Sequence, residues 1–323
     1  MEIYRIKRKD LKESVNIAKK VSSVTGISFL YHWIDCLYSI VMYGCSPEQY
    51  IFGKFYKLRS FDRNNTYTHS RTYVAKRFFC DPESQHLCSN KVDFNRFFSE
   101  YVKRSWIFCK EASANELLTF FIANKRVIVK PFNLSKGQGV YELDREEQNE
   151  ELVKSLLGKN VLLEAFIEQH PDLCLGNKSV NTIRINTILD SKGTVHFIKA
   201  AIRCGVGDSV VDNFSAGGIV YPINIDYGCI EGPGISKSFD RSIYIHPGTT
   251  CLMVGKVIPF WPEVIRIVRE AAMSLQKIRF VGWDVAITTD GPELVEANTR
   301  PGANLIESIG EKRGFWKLIK SLR

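Results

Sequence analysis

The pattern of apolar and polar positions divides the chain into a helical first third and a remainder rich in strands. Before residue 106, apolar residues recur at three- and four-residue spacing, which is typical of helices that pack through one face. From residue 126 onward, short apolar runs bounded by glycine and polar residues predict strands. This succession predicts an α+β fold with mostly antiparallel sheets.

Helical periodicity predicts helices at residues 11–24, 27–43, 91–109, 113–123, 146–157, 261–278 and 311–323. The helix over 27–43 is strongly apolar but carries Asp35 near its middle and is short for a membrane span, so we expect it to be buried. Ser113 and Glu116 have the spacing of a capping box at the start of their helix.

Strands are predicted at residues 126–132, 161–166, 182–190, 195–204 and 218–225, and a hairpin at 279–302. Asp284, Glu296 and Asn298 interrupt the apolar runs of this hairpin. Glu296 and Asn298 share one face, and Asp284 joins them if the loop holds an odd number of residues. We therefore predict a three-residue loop, 289–291, with Gly291 left-handed in a G1 bulge.

The three oxygen-bearing side chains of this hairpin are ligands of the kind that Mg²⁺ prefers while keeping positions for substrate phosphates. A polar edge hairpin without a metal is the alternative interpretation.

Composition and charge limit the class of protein. A chain of 323 residues with 45% hydrophobic content can bury the core of one large or two smaller domains. Residues 1–130 carry 22 Lys/Arg against 12 Asp/Glu, whereas residues 131–323 carry 22 against 23. The basic first part indicates an anionic partner, such as a nucleotide, an acidic glycan, an anionic lipid or a nucleic acid.

Nine cysteines are scattered without a Cys-x-x-Cys pair, which favours reduced thiols over a disulfide framework or a zinc site. No apolar segment directly follows the basic start of the chain, so a signal peptide is not predicted. We therefore expect a cytoplasmic protein.

Two segments with chemical character follow the first predicted strands. Lys130 ends a strand and precedes a loop with Ser135, Gly137 and Gly139, whose backbone N–H groups could approach an anion closely. An ordinary glycine hairpin loop is the alternative. Glu164 ends the next strand, where backbone groups could read the edge of an adenine base, the Glu164 carboxylate could accept from its exocyclic amine, and a second acid could hold ribose hydroxyls.

Two arginines lie inside later apolar strands, Arg184 and Arg203. An arginine in a strand usually faces solvent, but two on successive strands before an acidic hairpin fit phosphate or carboxylate recognition by planar forks. The loop that follows has the composition of a closing loop and contains Asn213, Ser215, Gly217 and Gly218.

In this order, the residues resemble the ATP-grasp superfamily, and most closely its sugar-transfer-associated members, which are found with polysaccharide biosynthesis genes. The resemblance covers about residues 91–307 and extends to D-alanine–D-alanine ligases and ribosomal-protein glutamate ligases. It rests on Lys91, Lys130, Ser135, Gly137, Gly139, Glu164, Arg184, Arg203, Asn213, Gly217, Gly218, Asp284, Glu296, Asn298, Pro301 and Gly302.

The resemblance implies an ATP-grasp fold in which two α+β subdomains sandwich a nucleotide. Residues 106–166 would form the small lid subdomain and residues 167–323 the large one, after a mainly helical region at 1–105. Lys91 and Lys130 would contact ATP phosphates, and residues 135–139 would form the flexible lid.

The resemblance further implies that the adenine hinge is formed by Glu164, Ala165, Phe166 and Ile167, with Glu168 or Asp172 as the ribose acid. The metal, Mg²⁺ with Mn²⁺ as an alternative, would be held by Asp284, Glu296 and Asn298. The remaining implied site residues, near the transferring phosphate and the acceptor carboxylate, are Arg184, Arg203, Asn213, Arg300, Ser215, Gly217 and Gly218. D-alanine ligases have an arginine two residues before the metal aspartate, where this chain has Gly282, and Arg203 is our candidate for the missing charge.

The predicted function is a Mg-ATP-dependent carboxylate–amine ligase that joins an amine or amino acid to a uronic acid of a surface polysaccharide or its precursor. A phosphotransferase using the same site is the alternative, and a basic protein that binds nucleic acid or membranes is a third. No nucleic-acid-binding motif supports the third, so we expect no nucleic-acid partner. Peripheral contact with a membrane or with glycan-assembly machinery is an expected association.

Overall fold

The computed structural model describes residues 8–132, 139–143, 150–207, 217–236, 242–310 and 312–323. Within them, helices dominate up to residue 97 and two antiparallel sheets follow, so the predicted α+β class and the dominance of antiparallel pairing are confirmed. No helix in these ranges is both long and apolar enough to cross a membrane.

The helices before the first strand form a layer with its own core. They are α1 Arg8–Thr25, α2 Phe29–Tyr43, α3 Pro47–Phe52, α4 Ser60–Asn65, α5 His69–Phe79, α6 His86–Ser89 and α7 Lys91–Phe97. Apolar side chains of α1 to α3, among them Ile17, Ile40 and Tyr50, form one buried cluster. Ser46 and Gln49 form a reciprocal capping box that fixes the start of α3.

The first sheet has four strands in the order β1-β4-β2-β3. The strands are β1 Trp106–Phe108, β2 Val127–Pro131, β3 Tyr141–Leu143 and β4 Val161–Ala165, and the helices α8 Ala114–Ala123 and α9 Glu150–Leu156 pack on one face. The predicted capping box of α8 is present, because Ser113 Oγ accepts from Glu116 N at 3.3 Å and the Glu116 carboxylate accepts from Ser113 N at 2.8 Å.

The second sheet has five strands in the order β7-β6-β5-β8-β9. They are β5 Thr182–Leu189, β6 Val195–Cys204, β7 Ile219–Ile223, β8 Phe280–Thr288 and β9 Gly291–Asn298. The helix α10 Trp261–Ser274 packs on one face, where the largest core cluster lies. The helices α11 Ala303–Ser308 and α12 Phe315–Ser321 cover one end of the opposite face, which leaves the other end of that face open.

Two predictions about the first third were wrong. The helix predicted at 91–109 ends at Phe97, and Trp106–Phe108 form a strand that pairs with β4. Aromatic residues at three- and four-residue spacing fit a helix face, but pairing with β4 decides their structure. The helix α2 is also not enclosed as expected, since Leu30, Ile34 and Tyr38 are 55%, 57% and 50% exposed.

Candidate functional site

The candidate site lies in the cleft between the two sheets. On the four-stranded sheet, Lys130 and Glu164 share a face, because Glu164 is paired with Ile128, two residues from Lys130. On the five-stranded sheet, Arg184 is paired with Asp284, and Asp284 with Glu296. Residues predicted from separate parts of the chain therefore face one cleft.

Lys91 joins the two sides of the cleft. It is the first residue of α7, whose start is fixed by Asn90 Oδ1 accepting from the N–H groups of Val92 and Asp93 at 2.9 and 3.3 Å. Burial lowers the pKa of Lys91 below its usual value, and Glu296, Lys130 and Glu164 lie close enough for their charges to act on it too. Charges from both sheets thus converge on Lys91.

The acidic hairpin has the predicted face but not the predicted loop. Thr288 pairs with Gly291, so the turn holds the two residues Thr289 and Asp290 rather than three. A bulge at Val295, between Leu294 and Glu296, supplies the odd residue and sets Glu296 opposite Asp284. The predicted shared face is confirmed, and its cause is a bulge inside β9.

Asp284 is held by two arginines. Arg184 makes a bidentate contact, with its terminal nitrogen donating to Oδ2 at 2.9 Å, and Arg203 donates to the same oxygen at 3.0 Å. Arg203 is itself oriented by Thr182 Oγ1 at 2.6 Å. Asp284 is 2% exposed, and although burial alone would raise the pKa of its carboxyl, the two guanidinium groups hold that pKa below its usual value.

Gly282 lies beside Asn186 and Arg184, where a side chain would be tightly placed against Asn186. A Cβ at Gly282 would lie 3.0 Å from Asn186 Oδ1 and 3.4 Å from Arg184 Cδ. Sequence analysis expected Arg203 to supply the charge missing at this position. The structure brings Arg203 to Asp284 and adds Arg184, so two strand arginines supply positive charge beside the carboxylate.

Glu296 differs from Asp284 in its partners. Burial and then the neighbouring Asp284 charge raise the pKa of the Glu296 carboxyl, although its side chain is open to the cleft. In the described ranges no lysine or arginine forms an ion pair with it, and its close polar neighbour is the amide of Asn298, at 3.3 Å when the amide is oriented to satisfy both neighbours. Arg184 and Arg203 neutralise the charge of Asp284 but form no ion pair with the adjacent Glu296, so the Glu296 carboxylate favours the binding of a cation.

These residues fit a divalent ion of the Mg²⁺ type. Glu296 opens its carboxylate to the cleft, and the Asn298 oxygen beside it accepts from Arg184 at 3.2 Å and would turn to Mg²⁺ when the ion binds. A carboxylate has about four acceptor positions, of which the arginines use three on Asp284. Within the described ranges no group of three or more His, Cys, Asp and Glu side chains could hold a metal. Asp284, Glu296 and Asn298 are a mixed set of two carboxylates and one amide, a type that leaves positions for substrate phosphates.

A buried ion-pair network, which the sequence did not reveal, ties the two sheets together. Arg104 donates to Glu164 at 3.0 and 3.1 Å and to Glu293 at 3.1 Å, and all three side chains are almost fully buried. Glu164 also accepts from Asn95 at 3.0 Å and from Lys130. Burial would raise the pKa of Glu164, but Arg104 and Lys130 hold it well below its usual value.

Within this network, Glu164 fixes the position of the Lys130 side chain by accepting a hydrogen bond from it. Its two oxygens accept four bonds from protein donors, so its predicted contact with an adenine amine would compete with them. The available signal for the network was Glu293, an acid inside the apolar strand β9. Its partner could not be inferred, because the contact joins residues 189 positions apart.

A cavity of about 330 Å³ lies at the hinge where β4 leaves the first sheet. The predicted hinge residues Phe166 and Ile167 and the candidate ribose acid Glu168 line it, and the Arg126 guanidinium stacks 3.5 Å above the centre of the Phe166 ring. Asp172 lies in the following short 3-10 turn and is not among the cavity-lining residues. The geometry therefore favours Glu168 over Asp172 as the acid that faces a ligand there.

The other predicted site residues either lie outside the described residues or take no part in the contacts given above. Ser135, Gly137, Asn213 and Ser215 lie outside the described residues. Ala165 ends β4, and Gly139 and Gly217 have positive φ angles of 68° and 101°. Gly218 immediately precedes β7. Arg300 stacks on Tyr73 at 4.3 Å, towards the N-terminal helices rather than beside Asp284.

The chain is similar to several proteins of known structure, each at low sequence identity. No curated protein sequence matches the chain significantly. Among solved structures, D-alanyl-alanine synthetase A from Vibrio cholerae is similar with 14% identity and a TM-score of 0.45, covering 76% of this chain and 68% of that one. The ATP-grasp ligase PsnB with a minimal precursor is similar with 13% identity and a TM-score of 0.48, covering 76% and 63%.

N5-carboxyaminoimidazole ribonucleotide synthetase from Thermotoga maritima is similar with 12% identity and a TM-score of 0.44, covering 79% of this chain and 56% of that one. The chain thus spans roughly half to two thirds of the length of these structural neighbours. The sequence model of sugar-transfer associated ATP-grasp proteins matches residues 103–322, about two thirds of the chain. The chain therefore belongs to the sugar-transfer-associated ATP-grasp family and has the ATP-grasp fold.

Proposed function

We propose that this chain is a Mg-ATP-dependent carboxylate–amine ligase that forms an amide through an acyl phosphate. The observation that carries the proposal is the convergence of two lysines, two arginines and the Glu296 carboxylate in one cleft between the sheets. ATP and an acceptor carboxylate are both anionic, and their reaction requires repulsion between them to be neutralised.

We divide the residues of the cleft into those that would bind ATP and those that would bind the acceptor carboxylate. We assign Lys91 and Lys130 to binding the phosphates of ATP, and the contact with Glu164 fixes the position of Lys130. We assign Arg184 and Arg203 to the region where the acceptor carboxylate meets the transferring phosphate, next to Asp284. Glu296, Asn298 and the remaining acceptor position of Asp284 would hold Mg²⁺, which supplies charge neutralisation for the phosphoryl group when bound.

In the proposed reaction, an oxygen of the acceptor carboxylate attacks the γ-phosphorus of ATP. The bond to the β–γ bridging oxygen breaks, which gives an acyl phosphate and ADP. The amine nitrogen then attacks the acyl carbon, loses a proton and displaces inorganic phosphate, so an amide forms. The contribution of this chain is positioning and fixed charge, and the two sheets shield the acyl phosphate from water between the steps.

The proposed acceptor is a uronic acid of a surface polysaccharide or its precursor, and the proposed amine is an amino acid or another amine. The sugar-transfer association of the family supports a sugar substrate. The balance of 22 Lys/Arg against 12 Asp/Glu in residues 1–130 supports an acidic one.

Mass spectrometry of the products tests the proposal. The chain would be incubated with ATP, Mg²⁺, glucuronate or galacturonate, and pooled amino acids. We expect ADP and inorganic phosphate only when a carboxylate and an amine are both present, together with a product heavier by the amine less one water. ADP release without free phosphate, with a phosphorylated sugar as product, would instead establish a phosphotransferase.

The hinge cavity makes a separate prediction about nucleotide binding. Replacing Glu168 with glutamine should weaken ATP binding about tenfold, because the loss of a charged hydrogen-bond acceptor for ribose costs about that much. Asp172→Asn is the matched control, since Asp172 is exposed but does not line the cavity. Calorimetric titration with a non-hydrolysable ATP analogue measures both, and equal affinities for the two variants would contradict the assignment.

A further inference from the structure

The outward face of α2 is apolar along its whole length. Its exposed side chains are Leu30, Tyr31, Ile34, Tyr38, Val41 and Met42, which are between 39% and 57% exposed. The ionisable side chains of this helix point inward, where His32 contacts the Tyr50 hydroxyl at 3.1 Å and Asp35 pairs with Arg63 at 2.7 Å. An exposed helix face that is apolar over its whole length normally contacts another surface, so this face calls for a covering partner.

The outward face of α1 carries only positive charge. Its exposed charged residues are Arg8, Lys9, Lys12, Lys19 and Lys20. The two acids of this helix are not part of that exposed set, since Asp10 is buried and Glu13 is half-buried. The spacing of the basic residues places them opposite the buried positions Ile17 and Val21.

The two outward faces lie side by side. The helices α1 and α2 are joined by residues 26–28, fold back on each other, and share one buried cluster. Trp33 Nε1 donates to Ser14 Oγ at 3.2 Å, which fixes the side of α2 that contacts α1. A basic strip therefore flanks an apolar strip on the surface of the N-terminal region.

We propose that this surface docks the protein on an anionic lipid bilayer. Apolar side chains of α2 would enter the boundary between headgroups and acyl chains, while lysines of α1 pair with anionic headgroups. Tyr31 and Tyr38 suit that boundary, because each has an apolar ring and a polar hydroxyl. The 15 residues of α2 extend roughly 22 Å, less than the hydrocarbon thickness of a bilayer, so the helix lies along the surface.

Charge complementarity distinguishes a bilayer from a second copy of the chain. A second copy docked through this surface would bring no acidic side chain to the basic strip, because the exposed charged residues of α1 are all Lys or Arg and the exposed face of α2 carries no charge. An anionic bilayer satisfies the apolar and the basic strips at once. The proposal does not depend on the reaction that the cleft performs.

Co-sedimentation of the full chain with sucrose-loaded vesicles tests the proposal. We expect sedimentation with vesicles of phosphatidylcholine mixed with phosphatidylglycerol, and at least about tenfold weaker binding to phosphatidylcholine alone. Ile34→Glu combined with Tyr38→Glu tests the apolar strip, and Lys12→Glu combined with Lys19→Glu tests the basic strip. Each double variant should lose about tenfold or more in binding to the mixed vesicles.

Two control variants carry the same charge changes on other exposed surfaces. Ile122→Glu with Tyr227→Glu matches the apolar variant, since these side chains are 72% and 77% exposed, and Lys192→Glu with Lys277→Glu matches the basic variant. Both should bind as the unaltered chain does. Circular dichroism and thermal unfolding verify that each variant folds. If the apolar variant does not fold, the basic variant and the comparison of the two lipid compositions still test the proposal.

Several outcomes would overturn the proposal. These are no binding of the unaltered chain to the mixed vesicles, equal binding to both lipid compositions, or unchanged binding of the folded variants. Light scattering that shows a dimer of the unaltered chain, converted to a monomer by the Ile34 and Tyr38 changes, would assign the surface to a second copy instead.

Discussion

Replacing Glu296 with glutamine should lower kcat/KM by about 10²–10³-fold, the usual cost of removing one preorganised electrostatic group from an active site. The same change should leave the fold intact or slightly more stable. Burial and the adjacent Asp284 charge already raise the pKa of the Glu296 carboxyl, so a neutral amide removes an unfavourable charge from the folded state. Steady-state ADP release and thermal unfolding measure the two effects.

Asp290→Asn is the matched control for this change. Asp290 lies in the turn of the same hairpin and is exposed, so the loss of its charge should alter neither activity nor unfolding temperature. Full activity of the Glu296→Gln variant would contradict the proposed metal site. A large loss of stability would show instead that Glu296 is a structural residue.

Replacing Arg104 with methionine should destabilise the protein by about 3–5 kcal/mol. The change removes the buried cation that pairs with Glu293, and it removes one of the two cations that pair with Glu164, the other being Lys130. Denaturant unfolding measures the loss. Arg96→Met is the control, since Arg96 pairs with Glu111 at an exposed site where an ion pair contributes at most about 1 kcal/mol. Equal losses for the two variants would contradict the account of the network.

The Arg104 effect should depend on pH. The pKa of Glu164 is held below its ordinary value of 4.5 in the folded protein, so its contribution to stability is complete above that value and is lost as the pH falls through the lowered pKa. Without Arg104 the buried Glu164 carboxylate is less strongly held in its charged form. The difference in stability between the unaltered chain and the variant should therefore be greatest near neutral pH and narrow on acidification.

Local signals in the sequence predicted the elements of the fold well. The alternation of apolar residues located strands such as β5 and β6, and the Ser113 and Glu116 pair located the start of α8. The predictions that failed depended on contacts between distant segments. Trp106–Phe108 have helical spacing but pair with β4, and Val295 became a bulge that no local signal indicates.

The candidate site follows the same division. Glu164, Arg184, Arg203 and the acidic hairpin were recognisable because each stands out against an apolar background, whereas Lys91 was found only through the resemblance to the family. Arg104 was not recognisable, since its role comes from two acids that only folding brings together. The exposure of α2 could not be predicted either, because the sequence of an apolar helix does not show whether another surface covers it.

The most direct test of the central claim follows one oxygen atom. The acceptor uronate would carry oxygen-18 in its carboxylate, and the phosphate released in the presence of ATP, Mg²⁺ and an amine would be analysed by mass spectrometry. An acyl phosphate intermediate predicts that each released phosphate carries one oxygen atom from the carboxylate. Unlabelled phosphate, or a labelled uronate that keeps both carboxylate oxygens in the product, would contradict the account.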